Sequence, residues 1–327
     1  MHFAEPHPPA PPSPLAHAGQ LAFWLELNPD LDISATPLAR PAPTVLPALL
    51  DGRPHAAEAM AEGYFQTASV IPRSHAGRLA QAISGLVQRG IPPVFCMVYD
   101  AFWQMFAPLD PVLRQLLGER YQMMPTDIWA WHVPAREGAS GWGPHRDLPH
   151  PEATGADGRP RLVNIWLPLT DVGPANACMY VLPQHLDPTL GADGAARELD
   201  LSDWHNIRAL PAQAGTALGW NTQVLHWGGR CSTQASQPRI SVGVYFHNRD
   251  CDLHQLNPDT ARNGFSSVDF WPGLHLPFEM RLQAIAGAIY MYNRRIPDDF
   301  PDTWEHIFQF ARQYRRNADQ GELRRTS

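Results

Sequence analysis

After residue 125 the chain breaks into short apolar runs, each closed by a turn residue, and this pattern limits the fold more than any other feature. Asp127–Val133 is aromatic and rich in strand formers. Leu162–Leu167 is ended by Pro168 and Cys178–Leu182 by Pro183, and Thr216–Trp220, Gln223–Trp227 and Ile240–Phe246 continue the series. Short strands separated by Gly, Pro, Asn and Asp turns point to a sandwich or barrel. The 34 prolines among 327 residues act the same way, favouring loops and sheet edges over long helices.

Helical patterns lie on either side. Ser74 can cap a helix over 75–89, with Leu79, Ile83, Leu86 and Val87 on one face and Gly90 as the stop. Asp110-Pro111 reads as a cap followed by proline at the first helical position, opening a helix to about Tyr121. Residues 95–107 are apolar and suit helix or strand equally. Helical character returns from residue 276, and Asp302 can cap a helix over 303–316. Residues 1–20 read as a disordered, proline-rich arm, 21–316 as a single domain and 317–327 as a frayed tail. Residues 184–210 are polar and rich in Gly and Asp, the composition of a lid-like insertion.

Composition excludes several classes. A formal net charge of -7 argues against nucleic-acid binding. No apolar run nears the roughly 18 residues of a membrane span, and the first residues do not read as a secretory signal. The four scattered cysteines (Cys96, Cys178, Cys231 and Cys251) read as free thiols of a cytoplasmic protein. Every basic side chain is Arg or His; without lysine, Schiff-base and P-loop chemistry are out of reach.

The chemistry-bearing stretch is Gly141-Trp142-Gly143-Pro144-His145-Arg146-Asp147-Leu148. In extended backbone, residues i and i+2 point to one side, so the His145 imidazole and Asp147 carboxylate converge. A second histidine would complete a 2-His-1-carboxylate face, which suits non-heme Fe(II) with open positions. His226 is the best candidate, at the end of an apolar strand and before Gly228-Gly229. The following segment, 239–246, reads as an antiparallel neighbour joined by a hairpin loop. Alternation puts Arg239, Ser241, Gly243 and Tyr245 on one face and Ile240, Val242, Val244 and Phe246 on the other. An inward arginine needs an anion, and its fork matches a carboxylate.

Four pieces in this order resemble the phytanoyl-CoA dioxygenase family of Fe(II)/2-oxoglutarate oxygenases. They are His145-Arg146-Asp147, the Asn164–Asp171 strand and turn, the segment from Asn176 to Val181-Leu182-Pro183-Gln184-His185, and His226 with Arg239. The likeness covers about residues 95–250. It implies a mainly β fold with flanking helices around a double-stranded β-helix (jelly-roll, cupin-like) core. It further implies Fe(II) bound by His145, Asp147 and His226, and 2-oxoglutarate held by Arg239, with Trp166, Asn164 and Ser241 lining the co-substrate. O2 would be the oxidant, and a small organic molecule the substrate. Related halogenases carry a small residue where Asp147 stands, so hydroxylation or a related oxidation is the expected outcome.

The chain departs from the family pattern at Arg146, where Gln is common, and at Gly228, where a small hydroxyl residue is common. Ser241 is the candidate replacement for that hydroxyl. Arg146 is expected to turn away from the metal into an ion pair. His150, His185, His205, His247 and His254 read as surface or hydrogen-bonded histidines, with His247 also near the substrate mouth. Trp129, Trp131, Trp220 and Trp227 read as core packing, and Trp142 as a candidate substrate contact. The competing reading is a cupin-like metal-dependent hydrolase or a non-catalytic small-molecule-binding barrel, in which the same ligands and Arg239 serve other ends.

Overall fold

The computed structural model describes residues 14–34, 50–148, 150–188, 204–253, 267–274 and 276–295. Helices α1 (Leu21–Leu27) and α2 (Gly52–Glu62), strand β1 (Tyr64–Ser69), and helices α3 (Arg73–Gln88), α4 (Asp100–Gln104) and α5 (Asp110–Leu117) come first. The strands β2 (Tyr121–Val133), β3 (Leu162–Pro168), β4 (Met179–Leu182), β5 (Arg208–Leu210), β6 (Thr216–Asn221), β7 (Leu225–Gly228), β8 (Arg239–Asn248) and β9 (Val268–Asp269) follow, and helix α6 (Phe278–Arg295) closes the described chain.

Two antiparallel sheets result. The larger has the order β1-β6-β3-β8-β2-β9, the smaller β5-β4-β7. His145 makes an isolated antiparallel bridge to His226, so the extended segment around it adds a fourth rung to the small sheet beside β7. From β2 onward the chain passes to this rung, to β3, to β4 and β5, to β6, to β7 and to β8, crossing repeatedly from one sheet to the other. That winding is a double-stranded β-helix, with helices packed outside the large sheet.

The large sheet is buried on both faces, which is why all seven residues of β3 are buried. Val163, Ile165 and Leu167 of β3 and Ile240, Val242, Val244 and Phe246 of β8 join the main core under the helices. The alternate residues face the small sheet. Helix α6 lies over β2, with Tyr292 against Trp129 at a centroid distance of 4.5 Å. Its Arg281 is fully buried and pairs with Asp100 at 2.5 Å, while also donating to the carbonyls of Leu276 and Val98. A buried cation needs this degree of satisfaction to be tolerated.

Three expectations change. The hairpin between β7 and β8 does not form: β7 pairs with β4, whereas both edges of β8 are taken by β2 and β3. The loop after Gly228-Gly229 therefore crosses between sheets. The segment 95–107 is neither one helix nor one strand but a 3-10 stretch, Pro93–Val98, followed by α4. Residues 184–210 are not wholly a loop: Gln184–Leu186 form a 3-10 turn, and β5 is a strand of the small sheet. Residues 189–203 of that segment lie outside the described residues, as do the helix expected over 303–316, the tail 317–327 and residues 1–13. Residues 14–20 form turns in which Leu15 and Ala18 are buried.

Candidate metal centre

His145 and His226 stand directly opposite each other on neighbouring extended segments. Each backbone N–H donates to the other's carbonyl at 3.0 Å. Directly opposed residues project to the same face, and the two imidazole centroids are 4.4 Å apart. Asp147, two residues on, adds its carboxylate to that face. Its Oδ1 lies 3.4 Å from His145 Nε2 and 3.5 Å from His226 Nε2. Candidate ligand atoms of the three residues all lie within 4.8 Å of one another, the only such cluster among the described residues.

The histidines are oriented alike. Nδ1 of His145 is 2.7 Å from the Gly143 carbonyl, and Nδ1 of His226 is 3.0 Å from the Val224 carbonyl. A carbonyl only accepts, so each Nδ1 carries the proton and each Nε2 turns a lone pair toward Asp147. Metal-bound histidines are held in this way by an outer acceptor. Burial pushes the His226 imidazole down to about 4, so it is neutral at pH 7 and available as a ligand. Burial alone would raise the Asp147 carboxyl. The His226 and His145 rings and a hydrogen bond from Tyr245 outweigh it, holding the group well below the usual carboxylate range. Two neutral nitrogens and one ionised oxygen on one face fit a divalent metal with open positions.

The triad opens into a cavity between the sheets, also lined by Arg239, Asn164 and Trp166. Trp131, Trp142 and Trp220 supply aromatic walls. Arg239 is only 2% exposed. Its Nη1 donates to the Ala177 carbonyl at 2.8 Å, its Cζ lies 5.9 Å from the Trp166 ring centroid, and its Nε has no partner. No described carboxylate pairs with it. Burial pushes its guanidinium down to about 10, still charged at neutral pH. Ala177 sits in the left-handed region, with φ 64°, where its carbonyl meets this cation.

The structure thus brings His145, Asp147, His226, Arg239, Asn164 and Trp166 to one cavity. Asn164 donates to Asp147 Oδ2 at 3.4 Å and leaves its own oxygen unpartnered. Ser241 follows Arg239 on the inner face of β8, opposite Trp131 in register, with a buried and unpartnered hydroxyl; it is not part of the lining. Arg146 turns away into a 2.5 Å ion pair with Asp187. Trp142 lies edge-on to His145 and stacks on Tyr292. His247 is buried and does not line the cavity.

Sequence reasoning missed two residues that hold Asp147: Trp220, whose Nε1 donates to Oδ2 at 2.9 Å, and Tyr245, whose hydroxyl bonds the same carboxylate. Tyr245 was on the correct strand face, but nothing in the sequence says which residue of β6 stands beside Asn164.

No curated protein sequence matches the chain. Among solved structures, similarity is found to the epimerase SnoN in complex with Fe3+, alpha ketoglutarate and nogalamycin RO (16% identity, 60% of this chain and 83% of that one, TM-score 0.47). It is also found to EctD from S. alaskensis with 2-oxoglutarate and 5-hydroxyectoine (18% identity, 66% and 84%, TM-score 0.44). A third is the non-heme monooxygenase ThoJ in its nickel complex (15% identity, 75% and 99%, TM-score 0.47). Residues 97–240, which contain the triad, Asn164, Trp166 and Arg239, match the family model of phytanoyl-CoA dioxygenase, and this is the family the chain resembles.

Proposed function

We propose that this chain is an Fe(II)- and 2-oxoglutarate-dependent dioxygenase that hydroxylates, or otherwise oxidises, a C–H bond of a small organic molecule. In this reading one domain spans residues 21–316. His145, Asp147 and His226 hold the iron on one face. Arg239 grips the distal carboxylate of 2-oxoglutarate, while Trp166 and Asn164 line its length and Ser241 backs the Arg239 end. When bound, the iron and the keto acid draw the oxidising equivalent from O2 and release succinate and CO2.

The observation that carries the proposal is the unpaired Arg239 guanidinium, buried in the same cavity as the triad. A buried cation without an acid costs several kcal/mol, roughly. A carboxylate-ended ligand that also reaches the metal removes that cost. In a hydrolase or a binding barrel built on the same ligands, this cation would contact the substrate instead. The tryptophan walls suit an apolar or aromatic substrate. Asp147 occupies the position that a halide would need, which favours hydroxylation.

The test is an anaerobic titration of the Fe(II)-loaded protein with 2-oxoglutarate, following the visible charge-transfer band of the chelate. Losing one partner of a buried charge pair costs about 2–5 kcal/mol. Arg239→Gln should therefore weaken 2-oxoglutarate roughly 30-fold or more, with Fe(II) affinity little changed. His226→Ala should abolish succinate release while the fold survives. A native protein with no band at any concentration would move the assignment to the hydrolase or binding-barrel reading.

A further inference from the structure

The carboxylate of Asp147 rests on a row of donors that runs straight across the large sheet. Asn164 of β3 stands directly opposite Trp220 of β6 on one side and Tyr245 of β8 on the other. Opposed residues in adjacent antiparallel strands project to one face with Cβ atoms about 5 Å apart, so three side chains of different length reach a common point. Trp220 Nε1 donates to Asp147 Oδ2 at 2.9 Å, and Asn164 Nδ2 donates to the same atom at 3.4 Å. The Tyr245 hydroxyl also bonds the carboxylate. All three residues are buried, at 2%, 7% and 7% exposure, so water does not readily replace them. The other oxygen, Oδ1, faces both histidine Nε2 atoms.

We infer that Trp220, Asn164 and Tyr245 are positioning residues that fix Asp147 as a one-oxygen ligand and keep its second oxygen off the metal. The inference rests on reading the triad as a metal centre. A carboxylate free to rotate about its last bond can chelate a divalent metal through both oxygens. Donors bound to Oδ2 compete for the lone pairs such chelation needs. The coordination position that Oδ2 would take stays open for the keto acid or for O2. The row lies on the sheet rather than on a loop, so its geometry is set by strand register.

The test uses Co(II), a spectroscopic stand-in for Fe(II), titrated into the metal-free full chain. Wild type, His226→Ala, Trp220→Phe and Tyr245→Phe are compared. Loss of an outer-shell partner typically lowers metal affinity about 10- to 100-fold. Trp220→Phe and Tyr245→Phe should each bind Co(II) at least roughly 10-fold more weakly. Their visible d–d absorption should also shift as the freed oxygen enters the coordination. Tyr245→Phe removes a single oxygen, so it carries the test if Trp220→Phe fails to fold. Wild-type affinity and spectrum in both variants would overturn the row while leaving the metal centre standing. Weaker binding with an unchanged spectrum would also overturn it, because lost packing alone does not alter the ligand set. No Co(II) binding to wild type, or binding that His226→Ala leaves intact, would remove the metal centre and the row together.

Discussion

Two glycines decide where the Arg239 guanidinium lies. A Cβ on Gly141 would come within 2.3 Å of its Nη2, and one on Gly228 within 2.6 Å of its Nη1. This explains why Gly228 stands where the resembling family often has a hydroxyl residue: the guanidinium occupies that space. The crowded atoms are the far end of a flexible side chain, so the guanidinium yields before the backbone does. Gly141→Ala should fold with a melting temperature close to that of wild type yet bind 2-oxoglutarate about 10-fold more weakly, equivalent to about 1.4 kcal/mol. Anaerobic titration beside thermal melting checks both halves; unchanged affinity would mean that the guanidinium finds an equivalent position. At this scale the triad was legible because His145 and Asp147 are two apart in a Gly- and Pro-rich stretch that cannot be helical, and Arg239 because β8 alternates cleanly. Gly141 and Trp220 were not, since which side chains meet across strands depends on register, which the sequence does not state.

The elements around the site are tied together by a buried ion pair. Arg146, between the two ligands of the small sheet's outer rung, meets Asp187 at 2.5 Å just after the 3-10 turn that ends β4. The side chains are 7% and 1% exposed, and Arg146 also donates to the Gln223 carbonyl. Removing one member strands a charge in the interior, at about 3–5 kcal/mol. Asp187→Asn or Arg146→Met should lower the melting temperature by on the order of 10 °C, and Arg146→Met combined with Asp187→Leu should recover part of the loss. Additive losses in the double variant would show that the two side chains do not act as a pair.

The same scale shows why the strand series was readable and its connections were not. β3, β4, β6, β7 and β8 fall within a residue or two of the expected runs, because each is apolar and closed by a turn residue. Helix α3 was legible from its one-sided apolar face, and α5 from Asp110-Pro111, although Gly118 ends it earlier than expected. The 95–107 stretch is buried almost all round, so it has no period to read. Helix α2 is alanine-rich with little apolar contrast, and it went unread. Whether β7 and β8 pair or lie in facing sheets is a matter of global winding, and a ten-residue connection permits either.

At the scale of the whole molecule, the described residues include no helix long and apolar enough to cross a membrane, and stability should respond to acid in a way the buried histidines dictate. His226 and His247 are both pushed down to about 4, in each case chiefly by burial. His247 is 1% exposed, its Nδ1 lies 2.7 Å from the Asn248 carbonyl, and its Nε2 has no partner, so protonation would bury a cation with nothing to receive it. In the unfolded chain a histidine titrates near 6.5. As pH falls, the unfolded state therefore takes up these protons first. The sign follows: stability is full above about pH 6.5, declines between about 6.5 and 4, and levels off below the folded value for these two groups. Each contributes a loss of up to roughly 3 kcal/mol across that window, from about 1.4 kcal/mol per pKa unit. Asp147 adds a loss of the same sign at lower pH, since its carboxyl is held below the usual range. The measurement is urea unfolding of the metal-free protein at steps from pH 7.5 to 4.5, beside His247→Phe. The variant keeps a ring in the site and removes one of the two protons, so its stability should fall less steeply below pH 6.5 than that of wild type. Parallel curves for the two proteins would show that His247 titrates alike folded and unfolded, and that its burial in the sheet is relieved by water before the chain unfolds.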